Sequence, residues 1–205
     1  GILSGTFLFI GTSLLFEASW LSGVLGLITV LLYNGLYTMI WKPKWIFAAI
    51  PGAIPGALPV TIGYAATNLQ IWNLDSIYLF AIMFLWQMPH FWLLAIRYKD
   101  DYAKANVPTL PVTLGMRKSI FYIGVYNFCY VTLALGSPWF THSSWGYLAL
   151  VVPLSLKLLW EMKKYIQSEG EQGWLSFFMW INVSMLVYVL VPVFDKWNFL
   201  FIKSS

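Results

Sequence analysis

Seven stretches of this chain are apolar over about the length that crosses a bilayer. A spanning helix needs roughly 20 apolar residues, within a range of about 17 to 25. The chain has 205 residues, of which 60% are apolar and only 10% charged, whereas a soluble domain carries about 25% charged residues. The candidate spans are Gly1–Phe16, Leu21–Trp41, Trp45–Thr67, Asp75–Ile96, Ser119–Leu135, Trp145–Trp160 and Trp174–Val193. This pattern predicts an all-α, polytopic transmembrane helical bundle of about seven spans, organised as a single membrane domain over residues 1–205.

The loops between these stretches alternate in charge. The second, fourth and sixth loops hold lysines and arginines, and the first, third and fifth loops hold none. Because cytoplasmic loops carry an excess of Lys and Arg, we expect the N-terminus of this chain on the cytoplasmic side. The net charge of +4 then reports topology, and we expect no nucleic-acid partner. The chain opens at Gly1 without the charged segment that begins a signal peptide, so we expect it to be the interior of a longer chain.

The third stretch is interrupted by Pro51, Pro55 and Pro59. Proline removes a backbone hydrogen bond from a helix, and such a break persists in a membrane only where protein or a wet cavity satisfies the freed groups. One interpretation is that this helix borders a cavity. The other is that its small residues, among them Gly52 and Gly56, allow neighbouring helices to pack closely. The residue pattern is compatible with both.

The fourth loop carries the densest cluster of charge in the chain. Asp100 and Asp101 follow the fourth stretch by about one helical turn, with Arg97 and Lys99 beside them. Carboxylates bind hard divalent cations, and Mg²⁺ typically takes one or two carboxylates together with substrate phosphates. Basic side chains can contact the same phosphate oxygens. The cluster therefore suits a diphosphate with a hydrocarbon tail, although a charged loop that is salt-bridged to itself and to lipid headgroups explains the same residues.

His90 lies inside the fourth stretch, directly after Pro89. Ionisable residues at membrane depth are rare and are candidates for function. The imidazole can contact a porphyrin iron, accept a proton, or bond a backbone carbonyl that Pro89 leaves free. The position alone does not choose among these three roles.

Three segments resemble one enzyme family in order and spacing. They are YTMIWK (Tyr37–Lys42), PGALPVTIGYAA (Pro55–Ala66) and LWQMPHFWLLAIRYKDDYAKANVPTLPVTLG (Leu85–Gly115). The third is the most specific, and together they resemble the haem O synthases, the protohaem IX farnesyltransferases of the UbiA-type intramembrane prenyltransferase superfamily. The last three stretches add little specific signal. Smaller departures from the family pattern are Pro43, Val60 and Thr109.

The resemblance implies transfer of a farnesyl group from farnesyl diphosphate to a vinyl group of haem B, which gives haem O for haem–copper terminal oxidases. It implies Mg²⁺ bound through the diphosphate and held by Asp100 and Asp101. The catalytic residues it implies are Asp101, Asp100 and His90, and His90 also orients the haem from the wall of the cavity. The basic residues expected to bind the diphosphate are Lys42, Arg97 and Lys99.

The resemblance also implies a setting and partners. These are the lipid bilayer of a bacterial cytoplasmic (inner) membrane, or of the mitochondrial inner membrane in a eukaryote, together with haem A synthase or the assembly of a terminal oxidase. Family members have nine spanning helices and a first acidic motif before the region that this chain matches. We therefore expect this chain to lack two helices and to be inactive alone. The rival functions are a prenyltransferase with a quinone or chlorophyll-type acceptor and a non-enzymatic transporter or channel fragment.

Overall fold

The computed structural model describes residues 2–141, 143–144 and 146–202; His142, which has no role assigned from the sequence, lies outside them. The described residues form helices and no strands. The helical segments are α1 (Ile2–Ala18), α2 (Trp20–Val30) with a π-helix (Leu31–Trp41), α3 (Ala49–Thr67), α4 (Leu74–Arg97), α5 (Lys99–Lys104), α6 (Leu110–Thr113), α7 (Gly115–Leu135), α8 (Ser137–Phe140), α9 (Tyr147–Gln167) and α10 (Trp174–Ile202). All seven apolar stretches coincide with helices, and the predicted all-α polytopic bundle is confirmed.

Five of these segments are long and apolar enough to cross a membrane: Trp20–Trp41, Ala49–Thr67, Leu74–Arg97, Gly115–Leu135 and Trp174–Asp195. The other two of the seven stretches differ for separate reasons. Helix α1 has only 17 residues. Helix α9 carries charge within its length, where Lys157 Nζ lies 2.6 Å from Glu161 Oε1 and 5.4 Å from the ring centroid of Trp180. Charged side chains within a membrane-spanning helix are usually paired with one another, as Lys157 and Glu161 are.

Several helix boundaries differ from the predicted spans. Helix α3 begins at Ala49, after turns over residues 42–48, and α7 begins at Gly115. Helix α10 continues past Val193, and Asp195, which interrupts the apolar run, accepts a hydrogen bond of 2.6 Å from Ser144 Oγ. The fourth loop is largely helical, since it contains α5 and α6.

Helix α2 runs without a break into the π-helix. In this segment hydrogen bonds span five residues, as in Lys42 N–H to Tyr37 O at 2.8 Å and Thr38 Oγ1 to Tyr33 O at 2.8 Å. The rings of Tyr33 and Tyr37 lie 5.4 Å apart. π-Helical turns occur frequently at functional sites, and Lys42, which is predicted to bind a diphosphate, directly follows this one.

Helix α4 lies at the centre of the bundle and packs against α3, α7 and α10, while α9 packs against α7 and α10. Tyrosine and serine side chains pair within this interior: Tyr78 Oη lies 3.0 Å from Tyr147 Oη, and Ser155 Oγ lies 2.6 Å from Tyr188 Oη. Interhelical hydrogen bonds of this kind contribute about 0.6 kcal/mol each in a membrane. They satisfy polar groups that have no water within reach.

Both interpretations of the proline-rich helix α3 apply, at opposite ends of it. Towards Thr67, α3 packs closely on α2, where Ser22 Oγ donates to Ile62 O at 3.0 Å. Towards Ala49, the same helix lines a cavity through Gly52 and Gly56. Gly52 and Gly56 are also closely packed, since a Cβ at either position would collide with Tyr37 or Gln87. The small residues of α3 therefore allow close packing next to the cavity as well as against α2.

Candidate active site

A cavity of about 330 Å³ opens between the π-helix, α3 and α4. This volume lies within the range of about 300–1,000 Å³ that is typical of small-molecule sites. Aromatic rings and small residues dominate its lining: Tyr33, Tyr37, Trp45, Ala48, Ala49, Gly52, Gly56, Phe91, Trp92 and Tyr102. We call it the α3–α4 cavity. An apolar chain fits such a lining, because rings and small side chains offer contact surface without unpaired polar groups.

The acidic pair directly precedes a residue of the cavity lining in the chain. Asp100 and Asp101 occupy the first turn of α5 and are exposed, while the next residue, Tyr102, lines the cavity. Helix α5 ends at Lys104. In the turn that follows, Asn106 has a φ of 53°, a left-handed conformation that Asn tolerates better than most residues. Val107 N–H then donates to Tyr102 O at 3.0 Å. This turn fixes the acidic pair relative to the cavity wall.

The three predicted phosphate-binding residues occupy different positions. Lys42 is exposed and lines the α3–α4 cavity, so the structure brings it to the same opening as α5. Lys99 begins α5 and is exposed. The guanidinium of Arg97 lies 5.7 Å from the ring centroid of Trp174 on α10, a distance typical of a cation–π contact.

Within the described part of the chain, the ion pairs are those that Glu161 makes with Lys157 and Lys164. Neither Asp100 nor Asp101 is paired with a neighbouring basic residue there. The structure therefore does not support the alternative interpretation, in which the charged residues of the fourth loop form salt bridges with one another. The two carboxylates, Lys99 and the cavity-lining Lys42 are therefore exposed and outside these ion pairs.

His90 faces α10 and is not part of the lining of the α3–α4 cavity. Its ring lies 4.7 Å from the ring of Trp86 and 5.0 Å from that of Phe178, and Asn182 of α10 interacts with it. Nδ1 of His90 is buried and has no hydrogen-bond partner among the described residues. The structure thus gives no support to a bond from this imidazole to a freed carbonyl, and it leaves a nitrogen lone pair or N–H available.

Sequence reasoning missed two polar residues of the cavity. Gln87 is only 4% exposed, and its Nε2 donates to Ala53 O at 3.3 Å and to Met83 O at 3.0 Å. The rule that singled out His90, a polar side chain at membrane depth, would have found it. Thr109 also lines the cavity, and its buried hydroxyl has no partner among the described residues. The sequence marked Thr109 only as a departure from the family pattern, which gives it no role.

A larger groove of about 770 Å³ lies on the outer side of the bundle, between α7 and α9. It contains none of the predicted site residues. The smaller α3–α4 cavity is the better candidate for chemistry, because it combines a lysine, a neighbouring pair of carboxylates and an apolar wall.

The acidic pair suits Mg²⁺ that arrives with a phosphate ligand. Mg²⁺ usually keeps several waters and takes one or two carboxylates together with substrate phosphates, and both carboxylates here are exposed. Among the residues that the structure describes, no group of three or more His, Cys, Asp or Glu side chains is placed to hold a metal. The pair therefore fits a metal shared with a substrate and does not form a closed protein site.

Comparison with known proteins identifies the family. The model of the UbiA prenyltransferase family matches residues 1–183. The chain belongs to the UbiA prenyltransferase family. This membership supports a prenyltransferase over the transporter or channel alternative, and no solved structure matches the chain.

Similar curated proteins share one name. The chain is 58% identical to the "Protoheme IX farnesyltransferase" of Bdellovibrio bacteriovorus over 205 residues, which are all of this chain and 70% of that protein. It is 37% identical over 145 residues to the protein of that name in Aliivibrio salmonicida, covering 70% of this chain and 50% of that protein. "Protoheme IX farnesyltransferase 1" of Bacillus velezensis is 34% identical over 184 residues, which are 88% of this chain and 58% of the relative.

Proposed function

We propose that this chain is part of a protohaem IX farnesyltransferase, which transfers a farnesyl group from farnesyl diphosphate to a vinyl group of haem B and forms haem O. The observation that carries the proposal is the pair of exposed carboxylates beside a lysine-bearing apolar cavity. The site belongs to a chain that is 58% identical to a protein of that name.

The diphosphate of the substrate binds at the cavity mouth. Lys42 contacts its oxygens from the cavity wall, and Lys99 approaches from α5. Arg97 holds the outer side of the group while its guanidinium rests on Trp174. As the carbon–oxygen bond breaks, negative charge grows on the diphosphate, so fixed cations at this point stabilise the transition state more than the ground state.

The farnesyl chain lies in the α3–α4 cavity, along the aromatic and glycine lining. This wall excludes water, which would otherwise quench the allylic cation before the acceptor reaches it, and its ring faces attract a cation. The bond between C1 of the farnesyl group and the diphosphate oxygen breaks, and a carbon–carbon bond to the vinyl group forms. Water then supplies the hydroxyl of the hydroxyethylfarnesyl side chain, with release of diphosphate and a proton.

Asp100 and Asp101 hold Mg²⁺ on the diphosphate. Members of this family typically use a divalent metal ion for the diphosphate substrate. When bound, such an ion neutralises charge on the leaving group. The two carboxylates keep that ion at the membrane surface, next to the cavity mouth.

His90 orients the haem. The free Nδ1 of its buried ring suits either an axial contact with a porphyrin iron or a hydrogen bond to the acceptor. Because His90 faces α10 and lies outside the lining of the α3–α4 cavity, the haem binds between His90 and that cavity. The reacting vinyl group then meets the farnesyl chain near α4.

The enzyme lies in a bacterial cytoplasmic (inner) membrane, with the acidic pair and the N-terminus of this chain on the cytoplasmic side. Nine of the twelve Lys and Arg residues lie in the loops and helix ends that this side would hold, as the positive-inside rule requires. The product serves haem–copper terminal oxidases, directly or through haem A synthase.

Haem analysis tests the proposal. We would express the protein at its full natural length in a host that lacks haem O synthesis, extract the membrane haems and separate them by liquid chromatography with mass detection. Haem O should appear, and its yield should depend on farnesyl diphosphate; prenylated quinone without haem O would contradict the proposal. The 205 residues alone should form none, because two carboxylates from one side make a poor cage for a metal-bound diphosphate.

A further inference from the structure

Two apolar grooves flank Phe121 on the outer face of α7. The first is the groove of about 770 Å³ between α7 and α9, whose lining includes Gly124, Phe128 and Ile166. The second, of about 690 Å³, lies towards Phe47. Phe121 is 65% exposed and lines both grooves. It therefore separates the two grooves.

Basic side chains stand at one end of both grooves. Arg117 lines the two grooves, and Lys118 lines the second. Neither forms an ion pair within the part of the chain that the structure describes. Glu169 lines the first groove at the same end, so these three charged side chains carry a net charge of +1. The grooves thus share one cationic end that attracts a single anionic group.

The length of the first groove matches one leaflet. Arg117 and Phe128 are eleven residues apart on α7, which at 1.5 Å per residue is about 16 Å. Half of a hydrocarbon core of about 30 Å is about 15 Å. A fatty-acid chain whose phosphate lies at Arg117 would therefore follow the groove to the middle of the bilayer.

We propose that these grooves and the Arg117–Lys118 pair bind one anionic diacyl phospholipid. Its phosphate contacts the two cations, and one acyl chain lies on each side of Phe121. Basic pockets between membrane helices are known to bind anionic headgroups, and the divided apolar surface matches a ligand with two tails. This site is separate from the α3–α4 cavity, and it does not depend on the proposed farnesyl transfer.

Lipid retention tests the charge requirement. The full-length protein would be reconstituted in phosphatidylcholine vesicles that contain one fifth phosphatidylglycerol, extracted in detergent and examined by native mass spectrometry. The wild type should retain one phosphatidylglycerol, and Arg117→Gln/Lys118→Gln should retain at least fivefold less. The matched control is Lys163→Gln/Lys164→Gln, which removes the same charge from side chains that lie over Trp160 at 5.7 and 5.6 Å. Equal loss in both variants, or equal retention of phosphatidylcholine, would refute a specific site.

A second test concerns the grooves. A Cβ at Gly124 would meet Ile166 Cδ1 at 3.6 Å, whereas one at Gly63 would have no neighbour within 4 Å. Gly124→Leu should therefore fill the first groove and reduce retention, and Gly63→Leu should not. In the unmutated protein, a phosphatidylglycerol with a diazirine on its acyl chain should crosslink to residues 120–128. Labelling only elsewhere, or crosslinks between two copies at this face, would overturn the proposal.

Discussion

Trp174 links the fold of the bundle to the candidate site. Its Nε1–H donates to Leu93 O at 2.9 Å, its ring stacks on Phe178 with centroids 5.0 Å apart, and Arg97 lies over it at 5.7 Å. Phe178 in turn contacts His90 at 5.0 Å. One indole thereby fixes α10 against α4 and also supports a predicted phosphate-binding residue.

Two substitutions separate the contributions of the Trp174 hydrogen bond, ring stack and cation–π contact to stability. Trp174→Phe removes the interhelical hydrogen bond, retains the stacked ring and should cost about 0.6 kcal/mol of stability. Trp174→Leu also removes the ring stack and the cation–π contact, so its total cost should be about 2 to 3 kcal/mol. Loss of the cation–π contact alone, about 0.5 to 1 kcal/mol, should raise KM for farnesyl diphosphate about two- to fivefold.

Thermal unfolding in detergent and steady-state kinetics of haem O formation measure the two effects separately. Trp160→Leu is the matched control, since Trp160 contacts Lys163 and Lys164 and does not contact Arg97. It should leave KM for farnesyl diphosphate unchanged. If Trp174→Leu lowers the unfolding temperature but leaves that KM at the wild-type value, Trp174 does not position Arg97. If Trp174→Phe is as unstable as Trp174→Leu, the ring stack and the cation–π contact do not add stability beyond that of the hydrogen bond.

Three further substitutions test individual parts of the site. Lys42→Met should raise KM for farnesyl diphosphate up to about fivefold, because an exposed charge pair contributes up to about 1 kcal/mol; Lys44→Met, outside the cavity lining, should not. Gly56→Ala should lower both thermal stability and haem O yield, since its Cβ would collide with the glutamine amide of α4, whereas Gly63→Ala has open space and should be neutral or stabilising. His90→Gln should weaken haem binding in spectral titrations and leave KM for farnesyl diphosphate unchanged; an unchanged haem affinity would remove His90 from the acceptor site.

The helices were predictable because the length of each apolar run can be read from the sequence. The six loops between the predicted spans fell near their expected places. The acidic pair was singled out from two adjacent carboxylates, and its role stays a prediction. The π-helix after Val30 was not predictable, since its five-residue hydrogen bonds depend on backbone register and not on composition. The continuation of α10 was missed because Asp195 ends the apolar run, and its partner Ser144 is distant in the chain.

The arrangement of the site was harder to predict than its residues. Helix α4 is apolar on nearly every side, so its sequence does not predict which of its residues face which neighbouring helix. The structure is needed to place Gln87 towards α3 and His90 towards α10. Arg97 likewise lies three residues before Asp100 in the chain but contacts Trp174, which is 77 positions after Arg97. Such pairings arise from packing between helices, which no local pattern encodes.

The central claim is that Asp100 and Asp101 hold a metal-bound diphosphate at the mouth of the α3–α4 cavity. The most direct measurement is haem O formation in membranes by the full-length protein that carries Asp100→Asn and Asp101→Asn together. Haem O should fall at least a hundredfold, a loss of about 3 kcal/mol in transition-state stabilisation, while Glu171→Gln, an exposed carboxylate in the turn before α10, should retain wild-type activity. Unchanged haem O formation by the double variant, at equal protein level, would contradict the account.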